Sequence, residues 1–187
     1  MTIPSLTKLL ASLSFFACSS LFAAPLVVDV TGVQSYGTSG NAGNTVLTYN
    51  VGANATITSI AYNVGLTAFE PSWLSEIAVL FSGSDLGGVQ LRPGVADSIS
   101  GTGTYVGSAD LVALGLSFNV GADGILRLEF MDTFDDFVNA ADGEWTSGTL
   151  TFGINGDDGT AVPEPATTAL FGAGLMLMAY AARRRRH

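Results

Sequence analysis

Large apolar side chains alternate with small or polar ones along most of the stretch from Pro25 to Ala161. Leu47, Tyr49 and Val51 are separated by Thr48 and Asn50, and Ile60, Tyr62, Val64 and Leu66 by Ala61, Asn63 and Gly65. Leu116, Phe118 and Val120 repeat the pattern around Ser117 and Asn119. So do Leu126, Leu128 and Phe130 around Arg127 and Glu129, and Leu150, Phe152 and Ile154 around Thr151 and Gly153. Alternate side chains share one face of a strand, so each run predicts a strand with one buried face. Turn formers at 37–44, 83–88, 119–124 and 142–143 separate the runs. Asp123-Gly124 predicts a hairpin connection, because the pair tolerates the positive φ of a tight turn. No longer window carries a helical stripe, and 111–116 is too short to assign. The spacing predicts about eight or nine short strands. That density predicts an all-β fold, a single β-sandwich or jelly-roll domain, with Trp73, Phe81, Phe118, Phe130 and Phe152 as core candidates. The lack of an internal repeat argues against a solenoid or propeller.

The pattern changes at both ends. Residues 1–23 combine a free amine and Lys8, an apolar run from Leu9 to Phe22 and the small residue Ala23, the order of a secretory signal peptide. Cleavage after Ala23 avoids placing Pro25 directly behind the scissile bond. A buried N-terminal helix is the plain alternative, and Phe15-Phe16-Ala17 ahead of Cys18 fits a lipoprotein signal poorly. At the other end, Val162-Pro163-Glu164-Pro165 breaks regular structure and holds the chain extended. The segment 166–182 is uncharged, and as a helix it would measure about 26 Å against a hydrocarbon core of roughly 30 Å. Arg183, Arg184, Arg185 and Arg186 then act as a cytoplasmic stop signal, since clustered guanidinium groups stay on the inner side. The predicted division is a signal peptide at 1–23, an exported β domain at 24–161 and a sorting tail at 162–187 with one membrane-spanning helix. A buried C-terminal helix or a permanent single-span anchor are the competing readings of the tail.

Composition sharpens this division. The 187 residues are 48% hydrophobic and 12% charged, too apolar for a disordered acidic chain. The net charge of −9 hides a partition: Lys8 and the four terminal arginines lie in the end segments, and only Arg92 and Arg127 lie between. All sixteen carboxylates fall between Asp29 and Glu164, which excludes a nucleic-acid partner. Cys18 and His187 are the single cysteine and histidine, so the exported stretch has no His, Cys or Lys. It therefore lacks an ordinary triad base, a thiolate, a Schiff-base amine and the usual zinc ligands, and is not expected to be an enzyme. Carboxylate pairs remain at Asp135-Asp136 and Asp157-Asp158, with Glu144 nearby. Two carboxylates suffice for a glycosidase, but on Gly-rich loops they are more often solvated charge. Asp132, Asp135, Asp136 and Asp142 are the candidate ligands for calcium, a set of hard oxygen donors, although no EF-hand or RTX spacing is present. No other cofactor is expected. Tyr36, Tyr105 and Trp145 could stack on sugar rings if exposed, and otherwise belong to the core. The acidic excess favours neutral glycans or a cation-mediated matrix over an anionic polysaccharide.

The tail resembles the PEP-CTERM sorting signal in Pro163-Glu164-Pro165, in the short Gly/Ala/Leu-rich span containing Gly172 and Gly174, and in the arginine cluster. The resemblance implies a Gram-negative, exopolysaccharide-producing source. It also implies an exosortase, an integral-membrane transpeptidase-like cysteine protease, which cleaves near the Pro-Glu-Pro site with this chain as substrate. The implied partners are that exosortase, the inner membrane in passing, and exopolysaccharide. The implied location is the cell surface or beyond after processing. A second likeness concerns the body. Gly124-Ile-Leu-Arg-Leu-Glu-Phe-Met-Asp132, the acidic loop, Ser147-Gly-Thr-Leu-Thr-Phe152 and Trp73-Leu-Ser-Glu-Ile-Ala-Val-Leu-Phe81 are similar to strands of the jelly-roll P domains of proprotein convertases. The tryptophan usual in the first segment is replaced by Leu126, and the likeness bears on fold alone. The resulting expectation is an exported surface or matrix protein with a structural or interaction role linked to exopolysaccharide or biofilm. The alternative is a carbohydrate-binding module.

Overall fold

The computed structural model describes residues 24–155. The predicted signal peptide at 1–23, Val162 to Pro165, the predicted membrane span at 166–182, the arginine cluster, Cys18, His187 and Asp157-Asp158 lie outside the described residues. Within them every regular element is a strand: β1 (Leu26–Asp29), β2 (Val33–Ser35), β3 (Thr45–Asn50), β4 (Thr56–Ala68) and β5 (Ile77–Ser82). There follow β6 (Gly88–Leu91), β7 (Gly101–Asp110), β8 (Phe118–Asn119), β9 (Ile125–Asp132) and β10 (Gly143–Asn155). All pairings are antiparallel. One sheet has the order β1-β10-β4-β7, with β2 also on β10 and β8 on β4; the other has the order β3-β9-β5-β6. The chain therefore crosses repeatedly between sheets, and its outer strands enclose its inner ones.

The alternation explains the core. Ile60, Val64, Leu66, Leu150 and Phe152 of the first sheet face Val79, Phe81, Leu126, Leu128 and Phe130 of the second, all buried in one cluster. Ring pairs join the two sheets: Phe81 meets Phe152 edge-on at 5.2 Å, and Phe130 meets Trp145 edge-on at 5.3 Å between centroids. Phe118 is half-buried and tilts against Phe81 at 6.0 Å. A register shift between Trp145 and Ser147, where β10 runs beside β4, reverses the parity of β10. Trp145 and the even-numbered Leu150, Phe152 and Ile154 consequently all point inward.

Three sequence expectations need correcting. Trp73 is not core but 46% exposed, because it sits in the turn ahead of β5 rather than in a strand. Trp145, for which stacking depended on exposure, is wholly buried and belongs to the core, owing to the bulge just described. Asp123-Gly124 does not close a hairpin: β8 pairs with β4 and β9 with β3 and β5, so the turn carries the chain from one sheet to the other. Leu116 is exposed, since 111–117 forms a turn in which the N–H groups of Leu116 and Ser117 both donate to the carbonyl of Leu111.

Candidate functional site

Two loops meet at one end of the sheets, 69–76 between β4 and β5 and 133–142 between β9 and β10. Backbone bonds tie each loop to the frame. The Phe69 N–H donates to the Asp142 carbonyl at 2.9 Å, and the Thr133 N–H to the Glu76 carbonyl at 2.9 Å. Side chains complete the join: the Ser72 hydroxyl donates to Asp132 Oδ2 at 3.2 Å, and the Trp73 N–H to Glu76 Oε2 at 2.8 Å. Between the loops lies a cleft of about 440 Å³ bordered by Pro71, Trp73, Glu76, Phe134 and Asp136. Phe134 is 60% exposed, so two aromatic rings left in water flank two carboxylates. The sequence reading missed both rings. Their signal was a large aromatic inside an otherwise polar turn, where no alternating strand accounts for it.

The four acids read as calcium ligands part company here. Asp132 and Asp142 are buried inward, Asp136 borders the Trp73 cleft, and Asp135 is exposed beside a second cleft with Tyr36 and Phe137. Asp142 Oδ1 accepts the N–H groups of Asp136 and Phe137, each at 3.0 Å, and thereby shapes the loop. Asp132 Oδ1 accepts the Phe134 N–H at 3.1 Å. Among the described residues no three His, Cys, Asp or Glu side chains come together in a way that could hold a metal ion. The two buried acids serve as acceptors for the loop backbone instead.

Burial pushes the Asp132 carboxyl up to about 7, with the nearby charges of Asp142 and Glu76 adding to it against the bonds from Phe134 and Ser72. Burial likewise raises Asp142 to about 6, helped by Asp135 and Asp136 and opposed by the two backbone N–H groups. Burial also works against ionised Glu129, but hydrogen bonds from Asn44, Gly40, Arg127 and Ser39 outweigh it and hold its pKa below the ordinary carboxylate value. The Glu129 bonds measure 3.0 Å to Asn44 Nδ2, 2.6 Å to the Gly40 N–H, 2.9 Å to Arg127 and 3.0 Å to the Ser39 hydroxyl. Its strand alternation places Glu129 on the solvent face, yet the folded loop 37–44 covers it.

These shifts set a pH dependence. Between the unfolded value of 3.8 and about 7, folded Asp132 keeps a proton that the unfolded chain has released. Stability therefore falls as pH rises through that window. Glu129 acts in the opposite sense, its contribution being lost only as pH drops below 4.5 through its folded value. The thermal midpoint of the full chain is expected to decline from about pH 4 to about pH 7, with Asp132→Asn flattening the decline and raising the midpoint at the upper end. A decline of the same size in Asp132→Asn would show that Asp132 is not its source.

Tyr36 and Tyr105, the other sequence candidates for sugar stacking, are half-buried and tethered. The Tyr36 hydroxyl donates to Gln34 Oε1 at 3.0 Å and the Tyr105 hydroxyl to Asp97 Oδ2 at 2.7 Å. Burial, with Asp97 alongside, pushes the Tyr105 hydroxyl up to about 12, so it stays a donor.

Fold and cleft define an all-β domain of two antiparallel sheets with an aromatic and acidic cleft at one end. The family model for the PEP-CTERM protein-sorting motif matches residues 161–186, so the chain carries at its C-terminal side a sorting signal of the kind that exosortases process. No curated protein and no solved structure matches the chain.

Proposed function

We propose that this chain is an exosortase substrate whose β body, free of enzymatic activity, is exported and acts structurally or by interaction at the cell surface or in the extracellular matrix, in connection with exopolysaccharide. The match of 161–186 to the sorting motif carries this reading. The nested strand orders β1-β10-β4-β7 and β3-β9-β5-β6 support a jelly-roll body, a stable two-sheet frame whose loops present groups at its ends. Intact-mass measurement of released protein tests the sorting. In cells with the exosortase the released chain is expected to begin at Ala24 or Pro25 and to lack Arg183 to Arg186. In cells without it, no such form is expected. Released protein that still carries Arg186 would refute the proposal.

A second reading is favoured by the cleft between Trp73 and Phe134: the body is a carbohydrate-binding module. Exposed aromatic faces beside hydrogen-bonding carboxylates are the combination by which proteins hold sugar rings, the rings covering C–H faces and the carboxylates accepting from hydroxyls.

A further inference from the structure

We propose that the cleft between Trp73 and Phe134 binds a pyranose carrying a free ammonium group, a de-N-acetylated amino-sugar unit of a polysaccharide. This rests on the carbohydrate-binding reading and narrows it to one class of sugar. Neither ring takes part in the aromatic contacts that tie Phe81, Phe118, Phe152, Phe130 and Trp145 together, and each leaves a large part of its surface exposed beside the cleft. The polar side of the cleft is entirely acidic, from Glu76 and Asp136. The hydrogen bonds that the Glu76 carboxylate accepts within the described residues both fall on Oε2, from the Trp73 N–H at 2.8 Å and more weakly from the Ser72 hydroxyl at 3.5 Å. That leaves Oε1 for a ligand. The two arginines of the described residues are engaged elsewhere: Arg127 on Glu129 at 2.9 Å, and Arg92 through Nε on the Ser75 carbonyl at 2.8 Å.

Charge then selects the guest. Thirteen carboxylates and two arginines lie in 24–155, so the field at the cleft attracts a cation and repels an anion. A neutral sugar would cover the rings but leave two carboxylates without a charged partner. A small ammonium ion would satisfy the carboxylates but leave the rings wet. Cages for quaternary ammonium surround their guest with aromatic walls, whereas this cleft has two rings and an open side. An amino sugar presents a flat C–H face and an ammonium group on one ring, and it meets both demands.

Titration calorimetry of the full chain in mild detergent tests this with five probes: fully de-N-acetylated and fully acetylated chito-oligosaccharides, a neutral glucan oligosaccharide, choline and oligolysine. The de-N-acetylated sugar is expected to bind at least about tenfold more tightly than any other probe, the scale of a hydrogen bond to a charged group. Phe134→Ala and Glu76→Gln are each expected to weaken it about tenfold. Phe134 is exposed, so its removal spares the core, and the glutamine keeps an oxygen for the Trp73 N–H. Asp110→Asn, at the opposite end of the sheet, is expected to leave binding unchanged. Equal binding of acetylated and free-amine sugars would remove the ammonium requirement and leave the carbohydrate reading standing. Failure of every sugar to bind would remove both, whatever choline does. Equal affinity for oligolysine, or an equal loss in Asp110→Asn, would reduce the effect to bulk charge and overturn the proposal.

Discussion

Trp145→Ala is expected to lower the unfolding free energy by about 3–5 kcal/mol, the range for removing a large buried aromatic. Trp145 is 0% exposed and is among the largest fully buried side chains of the domain. Its ring packs edge-on against Phe130 at 84° between planes, so it joins β10 of one sheet to β9 of the other. The space left by alanine lies between two sheets held apart by the close-packed side chains around it, so the cavity closes only in part. Trp145→Phe is expected to lose much less. It retains most of the volume, and it removes an indole Nε1 that is buried without a hydrogen-bond partner among the described residues. Urea unfolding of the full chain measures both. A loss below about 1 kcal/mol in the alanine variant would contradict the inward orientation of this side chain.

Gly148→Ala is expected to cost at least about 3 kcal/mol, from backbone strain and steric overlap together. Gly148 has φ of 104°, where a side chain is strained whatever room it has. A Cβ there would also run into the Asn63 carbonyl oxygen and lie 2.8 Å from Val64 Cα, both backbone atoms of β4 that cannot swing aside. Gly52 provides a matched comparison, with φ of 99° and nothing within 4 Å of the added carbon. Gly52→Ala should therefore report the strain alone, about 1–2 kcal/mol and less than the Gly148 variant loses. Similar losses in the two variants would mean that β4 and β10 do not approach closely at this bulge.

The same bulge shows where a local reading of the sequence stops. Leu150, Phe152 and Ile154 announce β10 and its buried face by simple alternation, and the fold keeps them inside. Carried back along the strand, that alternation alone would put Trp145 on the opposite face. One extra residue between Trp145 and Ser147 reverses the parity, and the pairing with β4 that creates it involves residues far apart in sequence. Glu129 illustrates a second limit. Alternation with Leu128 and Phe130 marks it as solvent-facing, but loop 37–44 folds over it and supplies three of its hydrogen-bond donors. Trp73 is a third case, an aromatic that hydrophobicity assigns to the core and a turn leaves outside.

Composition and near neighbours along the chain were enough for part of this. They separated the basic, apolar ends from the acidic middle, spelled the sorting motif that matches at 161–186, and prescribed strands rather than helices through a repeat of two. Those properties are short-range, because charge partition, a contiguous motif and backbone periodicity do not depend on what the chain later meets. Which aromatics are wet, and how the four loop aspartates divide between interior and surface, followed from the packing of the folded chain. So did the crossing of 119–124 between sheets. Each of those outcomes depends on register and on loop cover between distant segments, and a one-residue slip in register turns every side chain of a strand to its other face.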